Sequence, residues 1–284
     1  MLEGNVMPAI KKILFPVDFS AQCVGAARHV EALAGWFQAE VMLLHVVGNG
    51  TNTLAEELKP RSQVQLDGFL AEEFKYFTTQ RVCVVGDPAE KIIEIAGSWS
   101  PDLVMMPTQG LGFFRSFLLG SVTAKVLHDV ECPVWTGIHE EDAPPLEKIT
   151  WSKVLCAIDL GDRSRDVLEW AAFLAREHQA ELRIVHATPA LEAAAAGRYL
   201  DEEFAASLAA EAKSRIVAIE AAVGTNATIQ IARGNPRTAV TCAAKDFSAD
   251  LLVIGRQNSA GIAGHLRHNA YAIIRASPCP VISI

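Results

Sequence analysis

The chain has 284 residues, of which 50% are hydrophobic and 20% are charged. This composition is typical of a globular protein, and the length is sufficient for two domains. The formal net charge of -8 argues against a nucleic-acid partner, because such a surface repels a polyanion.

The sequence also argues against a membrane location. No segment reaches the roughly 18 consecutive apolar residues of a membrane span, and the N-terminus lacks the pattern of a secretory signal. The six cysteines are scattered without a CxxC pair, which favours reduced core residues over a zinc site or a disulfide framework. We therefore expect a cytoplasmic protein with no membrane partner.

Short apolar runs alternate with helical patterns along the first half of the chain. Runs of this kind are typical of strands buried on both faces of a parallel sheet, and they cover residues 13–17, 41–47, 80–85, 102–106 and 133–137. Ser20 and Asp87 are predicted N-caps, the latter followed by Pro88. A further helix is predicted from Ser121, and the segment 51–77 is expected to be interrupted at Pro60.

The second half repeats the first. KKILFPVDFS (11–20) returns as SKVLCAIDLG (152–161), and AEVMLLHVV (39–47) returns as AELRIVHAT (180–188). Segment 84–106 likewise matches 231–254, and 132–137 matches 279–284. Four blocks in the same order indicate an internal duplication. An acidic stretch with two prolines, 139–150, is the predicted linker.

These patterns predict an α/β protein with two tandem domains, residues 1–140 and 150–284. Each is expected to be a doubly wound parallel five-stranded sheet of Rossmann-like or flavodoxin-like order 3-2-1-4-5. A long helix is predicted within 191–223. The last strand of each half is short and apolar, and pairing the two would cover both edges.

Ligands of such sheets bind beyond the carboxyl ends of strands, where the strand order reverses. Asp18 follows the first strand, where it either contacts a ribose or base or caps the next helix. Gly110, Gly120 and Ser121 lie in the loop after the fourth strand, which is either an anion site at a helix start or only a turn. Neither the GxxxxGK[ST] motif nor a complete GxGxxG motif is present.

The same residues resemble the universal stress protein family, in a tandem form that covers nearly the whole chain. The family's nucleotide-binding loop has the pattern G-x2-G-x9-G-[ST]. Here Gly110, nine intervening residues, Gly120 and Ser121 reproduce that spacing, while Pro107 stands in place of the first glycine. The stretches FPVDFS and LLHVV occur at the expected places.

The resemblance implies that the first half binds ATP, or ADP or AMP, either alone or with Mg²⁺. By position, Asp18 would face the ribose or the base, Met106 would lie behind the base, and Pro107 would remove one backbone N–H donor. The residues expected around the adenosine are Pro16, Val17, Asp18, Val46 and Met106. Those expected around the phosphates are Gly110, Gly120, Ser121 and Val122.

The second half keeps Asp159 and Gly255 but replaces the other loop glycines. Asn258 stands at the second glycine, and Arg267 and His268 replace the Gly-Ser pair. Because an arginine fills the space of the phosphates, we expect no ATP in this half. The cationic residues there form either a solvated loop or a differently built anion site.

The resulting hypothesis is a nucleotide-binding regulatory or stress-response protein and not a metabolic enzyme, with slow hydrolysis or self-phosphorylation left open. One alternative is an enzyme of the wider fold group, but the HxGH and SGGxDS stretches expected of such enzymes are missing. The other is a nucleotide-free interaction module. The resemblance also implies an unidentified protein partner and an internal pseudo-dimer able to form a homodimer. His45 and His186 are predicted to be structural.

Overall fold

The computed structural model describes residues 9–48, 52–108, 119–137, 145–188, 202–256 and 266–284. The chain divides into two compact units, residues 9–149 and 150–284. We call these the first unit and the second unit.

The first unit is a five-stranded parallel sheet with helices between its strands. Its strands are β1 (Lys12–Val17), β2 (Glu40–Val47), β3 (Thr79–Val85), β4 (Leu103–Met106) and β5 (Val134–Thr136). Its helices are α1 (Ala21–Phe37), α2 (Asn52–Gly68), α3 (Pro88–Trp99) and α4 (Ser121–Asp129), followed by a short 3-10 turn (Leu146–Lys148). The strand order is β3-β2-β1-β4-β5, as predicted.

The second unit repeats this architecture. Its strands are β6 (Lys153–Ala157), β7 (Glu181–Thr188), β8 (Thr228–Arg233), β9 (Leu251–Ile254) and β10 (Val281–Ser283). Its described helices are α5 (Ser164–Glu177), α6 (Glu202–Val223), α7 (Pro236–Phe247) and α8 (Leu266–Ala276). The order β8-β7-β6-β9-β10 is again parallel, so the predicted fold class is confirmed.

The central strand β1 shows why short apolar runs in this sequence predict strands. Ile13, Leu14 and Phe15 are consecutive, and all three side chains are fully buried. Since successive strand residues point to opposite faces, both faces of β1 are covered. β1 pairs with β2 on one side and with β4 on the other, which places the reversal of strand order between β1 and β4.

Two helix starts also form as predicted. The Ser20 hydroxyl accepts a hydrogen bond from the Cys23 N–H at 3.3 Å and caps α1. The Asp87 carboxylate accepts from the Glu90 N–H at 2.9 Å, with Pro88 in the first helical position of α3. Such side chains supply the acceptors that first-turn amides otherwise lack.

The interruption expected at Pro60 is wrong, because α2 runs through this residue. The proline removes one hydrogen bond, to the carbonyl of Glu56, in a part of the helix that is exposed to water. Packing outweighs this loss, since α2 buries Ala55 and Leu66 completely or almost completely. The helix predicted within 191–223 is described from Glu202, while residues 191–201 lie outside the described part.

The prediction that all six cysteines lie in the core is correct for four of them. Cys23, Cys83, Cys156 and Cys279 are buried, whereas Cys132 is half-buried and Cys242 is exposed on α7; none forms a disulfide. Cys242 shows why the position of a cysteine in an apolar segment does not guarantee burial, because a small apolar residue is also tolerated on the outer face of a helix. In the described ranges, no helix is both long and apolar enough to cross a membrane.

An aspartate before the fourth strand of each unit fastens the start of the first strand. Asp102 Oδ2 accepts from the backbone N–H groups of Lys11 and Lys12, at 2.7 and 2.9 Å. Asp250 Oδ2 makes the same contacts with Ser152 and Lys153, at 2.8 and 2.9 Å. One carboxylate thus joins two neighbouring parallel strands at their amino ends.

We expect Asp102→Ala to lower the free energy of unfolding of the first unit by about 1 to 2 kcal/mol, because two backbone donors lose their acceptor. Urea unfolding measures this loss. Asp102→Asn is the matched control, since its amide oxygen still accepts, and its loss should be clearly smaller. Equal losses for both variants would contradict this role of the carboxylate.

Candidate functional site

The turn after β1 positions Asp18. Its Oδ1 accepts from the Ser20 backbone N–H at 3.0 Å and lies 3.0 Å from the Cys23 thiol. The helix cap is therefore Ser20, and Asp18 instead binds the amide of that cap residue. Asp18 is half-buried and lies at the carboxyl edge of the sheet.

The turn is stabilised from the β2 side by an aromatic cluster of Phe19, His45 and Phe69. Phe19 has φ 61°, a left-handed conformation that is unfavourable for a bulky residue. Its ring centroid lies 4.3 Å from that of His45 and 5.1 Å from that of Phe69. His45 Nδ1 is 2.9 Å from the Val17 carbonyl oxygen, so this nitrogen carries the hydrogen and donates it.

The second unit builds the same turn after β6. His186 Nδ1 is 2.9 Å from the Ile158 carbonyl oxygen, and Leu160 has φ 62°. The structural role predicted for His45 and His186 is confirmed by these matching contacts.

The residues expected around an adenosine lie at the carboxyl ends of β1, β2 and β4. Pro16, Val17 and Met106 are buried, while Val46 is half-exposed. Leu14 of β1 is level with Val104 of β4, and continuing this register brings Pro16 level with Met106. The sheet therefore brings the Asp18 turn and the start of the loop after β4 to the same edge, at the reversal of strand order.

Two hydrogen bonds join the end of β4 to the start of α4. The Gly120 N–H donates to the Thr108 carbonyl oxygen at 2.9 Å, and the Thr123 hydroxyl donates to the Pro107 carbonyl oxygen at 3.2 Å. Pro107 thus takes part in the contact through its carbonyl, although it has no N–H. Gly110 falls in 109–118, the part of this loop that lies outside the described residues.

Helix α4 begins without a side-chain cap, unlike α1 and α3. Its first intrahelical bond runs from the Ala124 N–H to the Gly120 carbonyl oxygen at 2.8 Å. In the part of the chain that the structure describes, the backbone N–H groups of Ser121, Val122 and Thr123 have no acceptor. Ser121 is exposed and Val122 half-exposed, so this positive helix end can receive an anion.

The charged side chain one turn into α4 is directed to α3. Lys125 Nζ lies 3.1 Å from Glu90 Oε1 and 3.9 Å from Asp87 Oδ1. The hydrogen bond with Glu90 raises the pKa of Lys125. Within the described ranges, no cluster of His, Cys, Asp and Glu side chains suitable for a metal ion is present.

The corresponding edge of the second unit differs. Gly255 occupies the position of Pro107, and a Cβ there would lie 3.3 Å from Val167 Cγ2. Asp159 is exposed, and its Oδ1 accepts from the Gly161 N–H at 2.8 Å and the Ser164 hydroxyl at 3.1 Å. Asn258 lies outside the described residues, so the loss of the phosphate site in this unit stays a prediction.

Sequence reasoning missed Cys23 and Thr123. Cys23 contacts Asp18, and Thr123 anchors α4 to the end of β4. A comparison of the two halves could have found the first, because Cys23 and Ser164 each follow the strand-end aspartate by five residues. No pattern in the sequence marks Thr123, since its partner is a backbone carbonyl 16 residues away.

Comparison with known proteins gives a consistent result for both units. The family model described as "Universal stress protein family" matches residues 9–136 and again residues 150–284. The chain therefore belongs to the universal stress protein family, with two family domains in tandem.

Individual relatives agree with this assignment. Universal stress protein MJ0577 of Methanocaldococcus jannaschii is 31% identical over 153 residues, covering 44% of this chain and 92% of the relative. Universal stress protein MJ0531 of the same organism is 33% identical over 138 residues, covering 44% and 79%. A crystal structure of a universal stress protein from Archaeoglobus fulgidus covers 96% of this chain and 97% of its own, with TM-score 0.73 and 21% identity, and so shares the fold.

Proposed function

We propose that the first unit binds an adenine nucleotide and that the chain acts in the cytoplasm as a nucleotide-dependent regulator of a stress response. The observation that carries this proposal is the uncapped start of α4, where three backbone N–H groups lack an acceptor among the described residues. This helix start follows β4, and the Asp18 turn follows the neighbouring β1. A site with an anion-binding end and a carboxylate end suits a nucleotide.

The Asp18 turn and the start of α4 are proposed to bind different parts of the nucleotide. We propose that Pro16, Val17, Val46 and Met106 supply apolar contacts to the adenosine, and that Asp18 accepts hydrogen bonds from the ribose or the base. The Ser121 and Val122 amides bind the phosphates, with help from the Ser121 hydroxyl. The Gly120 N–H already donates to Thr108, so Gly120 contributes by letting the phosphates approach closely. Mg²⁺ enters this site only as the ion that accompanies the phosphates of the nucleotide.

The direct test is a titration of the purified chain with ATP, ADP and AMP, together with analysis of nucleotide released on denaturation. We expect saturable binding of one nucleotide per chain. The same samples are analysed for hydrolysed ATP and for phosphorylated protein, which tests whether binding is accompanied by hydrolysis or self-phosphorylation. We expect little of either, because the first unit is proposed to bind the nucleotide and not to turn it over.

A nucleotide-free interaction module is the second candidate, and two observations favour it. Pro107 has no N–H to donate, and the Gly120 N–H is already used within the protein. For such a module, neither co-purified nucleotide nor binding in the titration is expected.

Pro107→Gly is expected to strengthen ATP binding by about threefold to tenfold, the effect of one additional backbone hydrogen bond. The substitution restores an N–H donor at the position where the family pattern has glycine. Isothermal titration of both proteins measures the change.

Pro145→Gly is the matched control, because it makes the same chemical change at an exposed position before the 3-10 turn. Its affinity for ATP should equal that of the unmodified chain. If Pro107→Gly also leaves the affinity unchanged, the lack of an N–H donor at position 107 does not limit ATP binding.

A further inference from the structure

Both units fasten the strand-end aspartate in the same way, although different side chains do it. In the first unit, Asp18 Oδ1 accepts from the backbone N–H two residues later and from Cys23. In the second unit, Asp159 Oδ1 accepts from the backbone N–H two residues later and from Ser164. Cys23 and Ser164 are equivalent positions in α1 and α5, so a thiol in one unit does what a hydroxyl does in the other.

The environment of Cys23 keeps its thiol protonated, so that it can donate a hydrogen bond. The residue is 2% exposed, and its Sγ lies 3.0 Å from Asp18 Oδ1. Burial, followed by the nearby Asp18 charge, raises the pKa of Cys23 to about 12. The group therefore keeps its hydrogen at neutral pH, and only as the thiol can it donate to the carboxylate.

The remainder of the turn leaves the carboxylate little freedom. Phe19 is held in its left-handed conformation by ring contact with His45, which in turn donates to the Val17 carbonyl oxygen. The backbone on either side of Asp18 is thus restrained, and the Cys23 contact restrains the side chain itself. These restraints together limit the directions in which the carboxylate can point.

We propose that Cys23 is a positioning residue of the nucleotide site, whose thiol orients the Asp18 carboxylate toward the bound nucleotide. The inference rests on the proposed function of the first unit. It extends that function to a buried side chain that touches no ligand.

The test compares three substitutions at one position. Cys23→Val and Cys23→Ala both remove the donor, the first while keeping the volume nearly constant, and each should weaken ATP binding by about fivefold, the effect of one lost orienting hydrogen bond. Cys23→Ser, which copies the second unit, should bind ATP within about twofold of the unmodified chain. The control is Ser164→Ala, which breaks the equivalent contact in the second unit and should leave ATP binding unchanged.

A double-mutant cycle with Asp18→Ala separates positioning from general destabilisation. If Cys23 acts through Asp18, adding Cys23→Val to Asp18→Ala causes no further loss of ATP affinity. The same cycle measured by urea unfolding without nucleotide should show coupling between the two side chains. An additive effect in the binding cycle overturns the inference while the proposed function stands. Absence of ATP binding by the unmodified chain instead overturns the proposed function, and the positioning role with it.

Discussion

Gly120→Asp is expected to reduce ATP binding by at least about 100-fold while leaving the free energy of unfolding equal or raising it by a few tenths of a kcal/mol. Gly120 is the N-cap of α4, with φ -59° and ψ 144°, a conformation that aspartate adopts without strain. An aspartate in this position accepts hydrogen bonds from the first-turn amides. The new carboxylate thereby takes the donors proposed for the phosphates and adds a repelling charge.

Loss of ATP binding at an unchanged or higher free energy of unfolding makes this variant informative, because loss of folding would reduce binding and stability together. ATP titration and urea unfolding measure the two quantities. Gly97→Asp is the control for charge, since Gly97 lies on α3 where an added Cβ meets no atom within 4 Å. It should bind ATP normally. Gly120→Arg, which imitates Arg267 of the second unit, should also lose binding, and normal ATP affinity in both Gly120 variants would remove α4 from the site.

Asp18→Ala is expected to weaken ATP binding by about 10-fold to 100-fold, because a hydrogen bond to a charged acceptor contributes about 1.5 to 3 kcal/mol. The loss should be smaller for inorganic triphosphate, which lacks the ribose and the base that the carboxylate is proposed to contact. Competition of each ligand with a fluorescent ATP analogue measures both affinities.

Asp159→Ala is the matched control for this prediction. Asp159 occupies the same turn in the second unit and accepts the same two kinds of hydrogen bond. Its removal should destabilise the turn without changing ATP affinity, because the second unit is predicted not to bind ATP. An equal loss of affinity in both variants would show that the second unit also binds nucleotide. No loss in Asp18→Ala would remove the carboxylate from the site.

The architecture was predictable because local patterns and burial agree in this chain. Runs such as ILFPV become strands because all their side chains are buried and the runs are too short for a buried helix, which suits a sheet covered on both faces. The starts of α1 and α3 were predictable because Ser20 and Asp87 satisfy amides within three residues of themselves. Where tertiary packing competes with local preference, as at Pro60 in α2, the prediction was wrong.

The candidate site was predictable only in part. The position of Asp18 after a strand and the spacing of Gly120 and Ser121 are visible in the sequence. The bond from Gly120 to Thr108 is not, and it changes which amides are left for a ligand. The contact between Cys23 and Asp18 is hidden when the first half is considered alone, because a cysteine in an apolar helix is indistinguishable from an ordinary core residue, and only the alignment with Ser164 of the second half points to it.

The amino-acid sequence by itself determined the duplication, the alternation of strands and helices, and the edge of each sheet at which polar residues gather. These properties follow from periodicity and from groups that interact within one helical turn. The tertiary structure decided which donors and acceptors at that edge are already paired within the protein. Hydrogen bonds between Pro107 and Thr123, or between Lys12 and Asp102, join residues far apart in the chain, and their geometry exists only after the strands and helices have packed.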